Sequence, residues 1–434
     1  MKQKEKDLAQ NLINFIYSSP TPFHAVENLE KIWGYKEFKE LKFEDKWHIA
    51  PGGKYFVTKN GSAMFGFIAG TGKPQEHGFK IIAAHTDSPV FKIKPSPEWV
   101  VAGNYLKLNT EPYGGIIMST WFDRPLSLAG RISLRSNNTL KPTVKNIRID
   151  RPIAYIPNLA IHMNREVNNG TPINAQTDVL PILGMINSTF EKENYLISLL
   201  AKEAGVAQTD ILDFELFLFE FEKGSFVGLN EEFISSGKLD NLAMVHASAI
   251  ALANAEPAKA TCVAAFFDNE EVGSQTKQGA AAPVLKTIIE RVVLALGGDT
   301  DDFYRAVSQS FMISADMAHA LHPNYEHKYD PLNRPIMNKG PVIKIHNGQK
   351  YTTDGVTGAV FAQLCESKGI PFQKFVNRSD VAGGSTLGNI STSQLDIATV
   401  DVGNPMFAMH SIRELSGVTD HLYMKEVFDA FYEL

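Results

Sequence analysis

Three apolar runs in this chain, residues 79–84, 262–267 and 311–315, each stop at residues able to hold a metal ion: His85, Asp268 through Glu271, and Asp316. Short apolar runs bounded by polar residues read as strands buried on both faces. Between and around them, residues 5–17 (with Leu8, Leu12, Phe15 and Ile16), 25–33, 241–253, 283–296, 356–366 and 421–432 carry helical spacing. Further strand signals lie at 55–58, 63–68, 342–345, 372–376 and 397–402. Such alternation predicts an α/β fold with a mostly parallel central sheet and helices on both faces. In open sheets of this kind ligands bind beyond the carboxyl ends of the strands, so the polar ends of these runs are expected to converge.

From about residue 95 to 236 the pattern changes to short alternating strands, such as 131–135 and 215–221, separated by Asn, Gly and Pro. A chain of 434 residues is long for one core. The expected organisation is a discontinuous domain of residues 1–93 and 238–434, interrupted by an inserted β-rich domain of residues 94–237.

Charge narrows the partners. A net charge of -6 leaves no basic stripe for nucleic acid. No stretch nears the roughly 18 apolar residues of a membrane helix. The segment Met1-Lys2-Gln3-Lys4-Glu5-Lys6-Asp7 lacks the apolar core of a signal peptide, so a cytoplasmic location is expected. With only Cys262 and Cys365, any metal must be held by His and carboxylate.

The candidate residues each have an ordinary reading beside the functional one. In His85-Thr86-Asp87, two polar residues at i and i+2 of a strand end share a side, so Asp87 can fix the tautomer of a metal-binding His85. A hydrogen-bonded strand-end histidine looks the same. Glu270 and Glu271 repel each other unless a cation or a raised pKa resolves the conflict, and one could then serve as general base. A solvated acidic turn is the alternative. Asp240 lies just before a helix, where acids commonly cap, while Asp316 and His410 follow strands.

Taken together, His85-Thr86-Asp87-Ser88-Pro89, Trp121-Phe122-Asp123-Arg124, Lys238-Leu239-Asp240-Asn241, Asp268 through Ser274, Ser314-Ala315-Asp316-Met317 and Met409 through Glu414 resemble the aspartyl aminopeptidase family of dinuclear metalloaminopeptidases, in the same order and over essentially the whole chain. The resemblance implies two divalent ions, Zn2+ with Co2+ or Mn2+ as alternatives. His85 and Asp316 would hold one and Glu271 and His410 the other, with Asp240 bridging both. Glu270 would be general base for a bridging hydroxide and then proton donor to the leaving amine, and Asp87 would orient His85. It also implies a cis peptide at Asp240-Asn241 and a cytoplasmic tetrahedral dodecamer built from dimers through the inserted dimerisation or lid domain. In that assembly His162 of a neighbouring subunit would approach the scissile carbonyl.

The implied reaction is hydrolysis of the N-terminal residue from peptides with a free N-terminus, with a preference for Asp or Glu there. Lys344 is the position that would supply the cation for an acidic side chain; an exposed strand lysine is its ordinary reading. The same chemistry with a neutral or apolar preference is an alternative. So is a two-carboxylate glycosidase using Glu270, which leaves His85 and His410 without a role, and so is a non-catalytic cage-forming particle in which metals only stabilise the fold.

Overall fold

The structure is a computed structural model that describes residues 2–186 and 194–434. Two compact units make it up: residues 1–87, 224–409 and 414–434 form the first, and 88–223 with 410–413 the second.

The first unit is built on a nine-stranded sheet. Its centre consists of four adjacent parallel strands, in the order Thr261–Phe267, Phe79–His85, Phe311–Ala315 and Ala398–Gly403. Side chains alternate faces along a strand, and the sequence uses that alternation to make two cores. Ile82, Ala84, Ala264, Phe266, Ile313 and Val400 point into one, with the helices Gln3–Ser18, Pro22–Gly34, Leu239–Asn254 and Val418–Glu433. Ile81, Ala83, Val263, Ala265, Phe267 and Met312 point into the other, against Val284–Ala295 and Thr300–Ser308. Helices therefore cover both faces, and the apolar central strands need no polar side.

Each fully buried aromatic in these layers contributes about 2–3 kcal/mol of burial free energy. Trp33 shows how tightly they fit. Its indole is fully buried, stacks on Phe266 at 5.8 Å and donates to the carbonyl of Ala249. A Cβ at Gly66 would stand 2.4 Å from the ring, so the strand Ala63–Ile68 needs glycine there. A second, five-stranded sheet in this unit joins Ser225–Val227, Phe233–Ser236, Glu414–Gly417, Pro405–Phe407 and Ala318–His319.

The second unit is a six-stranded antiparallel sheet, ordered Thr143–Arg148, Leu126–Leu134, Ile211–Glu220, Val90–Val101, Tyr105–Tyr113 and Ile182–Met185. Packed with it is a helix, Tyr195–Ala204, which the alternating pattern of this region did not suggest. Among the described residues no helix is long and apolar enough to cross a membrane.

Candidate metal centre

The carboxyl ends of the central strands of the first unit carry the candidate site. His85 is the last residue of Phe79–His85 and is 1% exposed. Its Nδ1 lies 3.1 Å from the carbonyl oxygen of Asp87 and 3.3 Å from that residue's Oδ1. Either contact takes a proton on Nδ1, which leaves Nε2 as the nitrogen a metal would use. Nε2 faces Oδ1 of Asp240 at 3.6 Å and Oδ1 of Asp316 at 3.5 Å.

Asp87 does more than face the histidine. Its Oδ1 accepts the backbone N–H of Glu270 and its Oδ2 that of Glu271, each at 3.1 Å. One buried carboxylate thus locks the strand-end histidine to the turn that presents both glutamates. That turn, Glu270–Val272, leaves the strand Thr261–Phe267 through Asn269, whose left-handed φ of 62° an asparagine tolerates well.

Asp240 opens the helix Leu239–Asn254; its N–H donates to Oε2 of Glu414 at 3.1 Å, and the Asp240-Asn241 peptide is cis. The next residue, Asn241, donates to the carbonyl of Ala315, which ties the helix start to the strand that delivers Asp316. Lys344 is not on the surface. Only 2% exposed, it places Nζ 3.3 Å from Oδ2 of Asp316 and 3.1 Å from the carbonyl of Met317.

The donor atoms of His85, Asp240 and Asp316 lie within 4.8 Å of one another, and so do those of His85, Glu270 and Glu271. Such crowding of acids shifts proton affinities. Burial pushes the Glu270 carboxyl up to about 8, with Asp316, Asp87 and Asp240 adding to the rise and His85 opposing it. Glu271 is held well above the usual carboxylate range by burial and then by Asp240. Burial by itself would lower His85, but the carboxylates of Asp240, Asp316 and Asp87 outweigh it and raise its pKa well above the ordinary value. Ionising all these acids together calls for concentrated positive charge between them. An imidazole and several carboxylate oxygens are a donor set that suits a zinc-type dication. The residues present fit such an ion.

His410 and His162 belong to the second unit. His410 is partly buried and its Nδ1 lies 2.9 Å from the carbonyl of Gly115. His162 is exposed, in a turn flanked by the exposed apolar side chains Leu159, Ile161 and Met163. Sequence reasoning passed over Glu414 as a support for Asp240 and over the bonds of Asp87 to Glu270 and Glu271. The word Met409 through Glu414 held a signal for the first; for the second, nothing local to Asp87 tells what folds onto it.

A family model described as aminopeptidase I zinc metalloprotease (M18) matches residues 15–432. A probable M18 family aminopeptidase 2 of Clostridium acetobutylicum is 55% identical over 432 residues, covering 100% of both chains. A chain in the cryo-EM structure of the Ape4 and Nbr1 complex superposes with a TM-score of 0.95 at 37% identity, over 99% of this chain and 86% of that one. The S. cerevesiae mApe1 dodecamer superposes with a TM-score of 0.86 at 27% identity, over 99% of this chain and 97% of that one.

Proposed function

Because the chain belongs to the M18 family of zinc metalloproteases, and so is a metalloaminopeptidase, we propose that it carries two divalent ions, zinc foremost, held by His85, Asp240, Glu271, Asp316 and His410. The observation that supports this reading most is the gathering of His85 with buried acids at the ends of separate strands. His410 joins the set on the strength of its motif and of the carbonyl that holds its imidazole. When bound, such ions polarise the scissile carbonyl and acidify water.

The protein's own part is proton management and alignment. Glu270 takes the proton from the attacking water and returns it to the leaving amine, a task suited to a carboxyl whose backbone is fixed beside the site by its N–H bond to Asp87. Asp87 keeps the His85 lone pair aimed by holding Nδ1 and, through two backbone N–H groups, keeps Glu270 at a fixed height. Carboxylates around the site accept hydrogen bonds from the free amino terminus, which favours removal of one terminal residue over internal cleavage.

We further propose a preference for acidic N-terminal residues through Lys344, and a homo-oligomer, as in the dodecamer named above, in which His162 serves a neighbouring subunit. Its assay is a panel of aminoacyl reporter substrates, run on protein stripped with a chelator and then reloaded with zinc or cobalt. Activity should vanish on stripping and return on reloading, with Asp and Glu substrates turned over fastest. Full activity after complete removal of metal would refute the metal-centred reading; a flat or apolar-biased panel would refute only the acidic preference.

A further inference from the structure

Within the second unit, the segment from His410 to Arg413 is gripped by the turn that carries Trp121 and Arg124. The N–H of Ile117 donates to the carbonyl of His410 at 3.0 Å, and Nδ1 of His410 meets the carbonyl of Gly115. The N–H of Ile412 donates to Oγ1 of Thr120, which itself donates to the carbonyl of Ile117. The outer end is closed by ions. Arg413 forks onto Glu220, with Nε 3.0 Å and Nη2 2.8 Å from Oε2. Glu220, its side chain 7% exposed, also receives Nη1 of Arg124 at 2.6 Å, and Nε of Arg124 donates back to the carbonyl of Thr120. Arg413, Glu220, Arg124, Thr120 and Ile412 therefore form a closed circuit around one short segment.

The segment needs such a grip. His410 has a φ of 68°, a left-handed conformation that is strained for a non-glycine residue. A backbone left to itself would relax and turn the imidazole. Only an acid fits at the centre of the circuit, because each guanidinium needs an anionic oxygen and Glu220 offers two. A glutamine would present one acceptor and an amide N–H₂ to a second cation.

We propose that Glu220, with Arg124 and Arg413, is a positioning residue for His410: the ion triad centred on the buried Glu220 carboxylate fixes the direction in which the Nε2 lone pair is presented to a zinc-type cation. The inference rests on the reading of His410 as a metal ligand. Partners that orient a metal-binding imidazole are worth about 10–100-fold in metal affinity.

The test uses full-length apo protein titrated with Zn2+ against a chromophoric chelator, together with the visible spectrum of the Co2+-loaded form. Glu220→Gln should weaken one zinc site by about 10–100-fold, alter the cobalt spectrum, and lower kcat with little change in KM. Arg413→Lys, which keeps the charge but loses the fork, should show the same changes to a smaller degree and serves if Glu220→Gln does not fold. Zinc affinity and cobalt spectrum unchanged in these folded variants, with His410→Ala impaired, would overturn the positioning role. Unchanged zinc affinity in His410→Ala would overturn instead the metal-ligand reading beneath it.

Discussion

At the scale of single residues, the division of labour between Glu270 and its neighbours makes the sharpest claim. Glu270→Gln keeps the side chain's shape and the backbone N–H that Asp87 accepts. Zinc content per subunit should stay at the wild-type level while kcat falls about 10²–10⁴-fold; hydrolysis that survives would remove the general-base assignment. Lys344 poses a different question, because its ammonium already faces Asp316 and the Met317 carbonyl. A substrate carboxylate would have to share that cation. If it does, Lys344→Ala lowers turnover of aspartyl reporters far more than of leucyl ones. Equal losses on both, with reduced zinc content, would assign the lysine to holding Asp316 rather than to selecting substrate.

At the scale of elements, most strands and helices were legible because their burial pattern is written in period: residues 421–432 and 283–296 fall within one residue of the helices Val418–Glu433 and Val284–Ala295 at their C-terminal ends. Thr300–Ser308 lies outside the helices expected from spacing, although Asp299 and Asp302 cap it reciprocally in a pattern visible in the sequence. Nothing in any single helix announces how helices are tied together. Nδ1 of His246 and Nε2 of His421 lie 3.0 Å apart, and Nε2 of His246 is 2.7 Å from Oδ1 of Asn11, so one chain of bonds crosses Leu239–Asn254, Val418–Glu433 and Gln3–Ser18. Burial holds His421 down to about 3 and His246 well below its ordinary value. Both folded values lie under the unfolded one near 6.5, so the unfolded chain binds more protons below that pH. The pair's contribution is therefore complete above about pH 6.5 and is lost as pH falls toward 3. Denaturant midpoints at pH 7.5 and 5 should differ less for His421→Gln, which retains a donor toward His246, than for wild type. An unchanged difference would show that the pair does not set the acid sensitivity.

At the scale of the whole molecule, assembly is the property that decides whether His162 has a task. Its turn is exposed and edged by Leu159, Ile161 and Met163, apolar side chains in contact with water in the isolated chain. Light scattering on purified protein should return a mass many times that of one 48.0 kDa subunit. In the oligomer, His162→Ala should cut kcat by about 10²–10³-fold, the usual loss of one donor to a developing oxyanion. Mixed particles of His162→Ala and Glu270→Gln subunits should regain part of the lost activity, since each supplies what the other lacks. No regain after proven subunit exchange would place His162 outside a neighbour's site.

The sequence by itself determined the α/β class, the two-sided central sheet and the strand ends from which His85, Glu270, Glu271 and Asp316 project, because short continuous apolar runs alternating with helical spacing admit few other arrangements. It also held the ordered motifs that mark the family. Only the tertiary structure decided that Asp87 grips the Glu270–Glu271 turn, that Lys344 is buried against Asp316 instead of lying in water, and that Glu220 ties Arg124 to Arg413. The physical reason is the same in each case. A hydrogen bond or ion pair between residues 28 to 193 positions apart leaves no periodic trace in either segment, and it exists only once the sheets have brought them together.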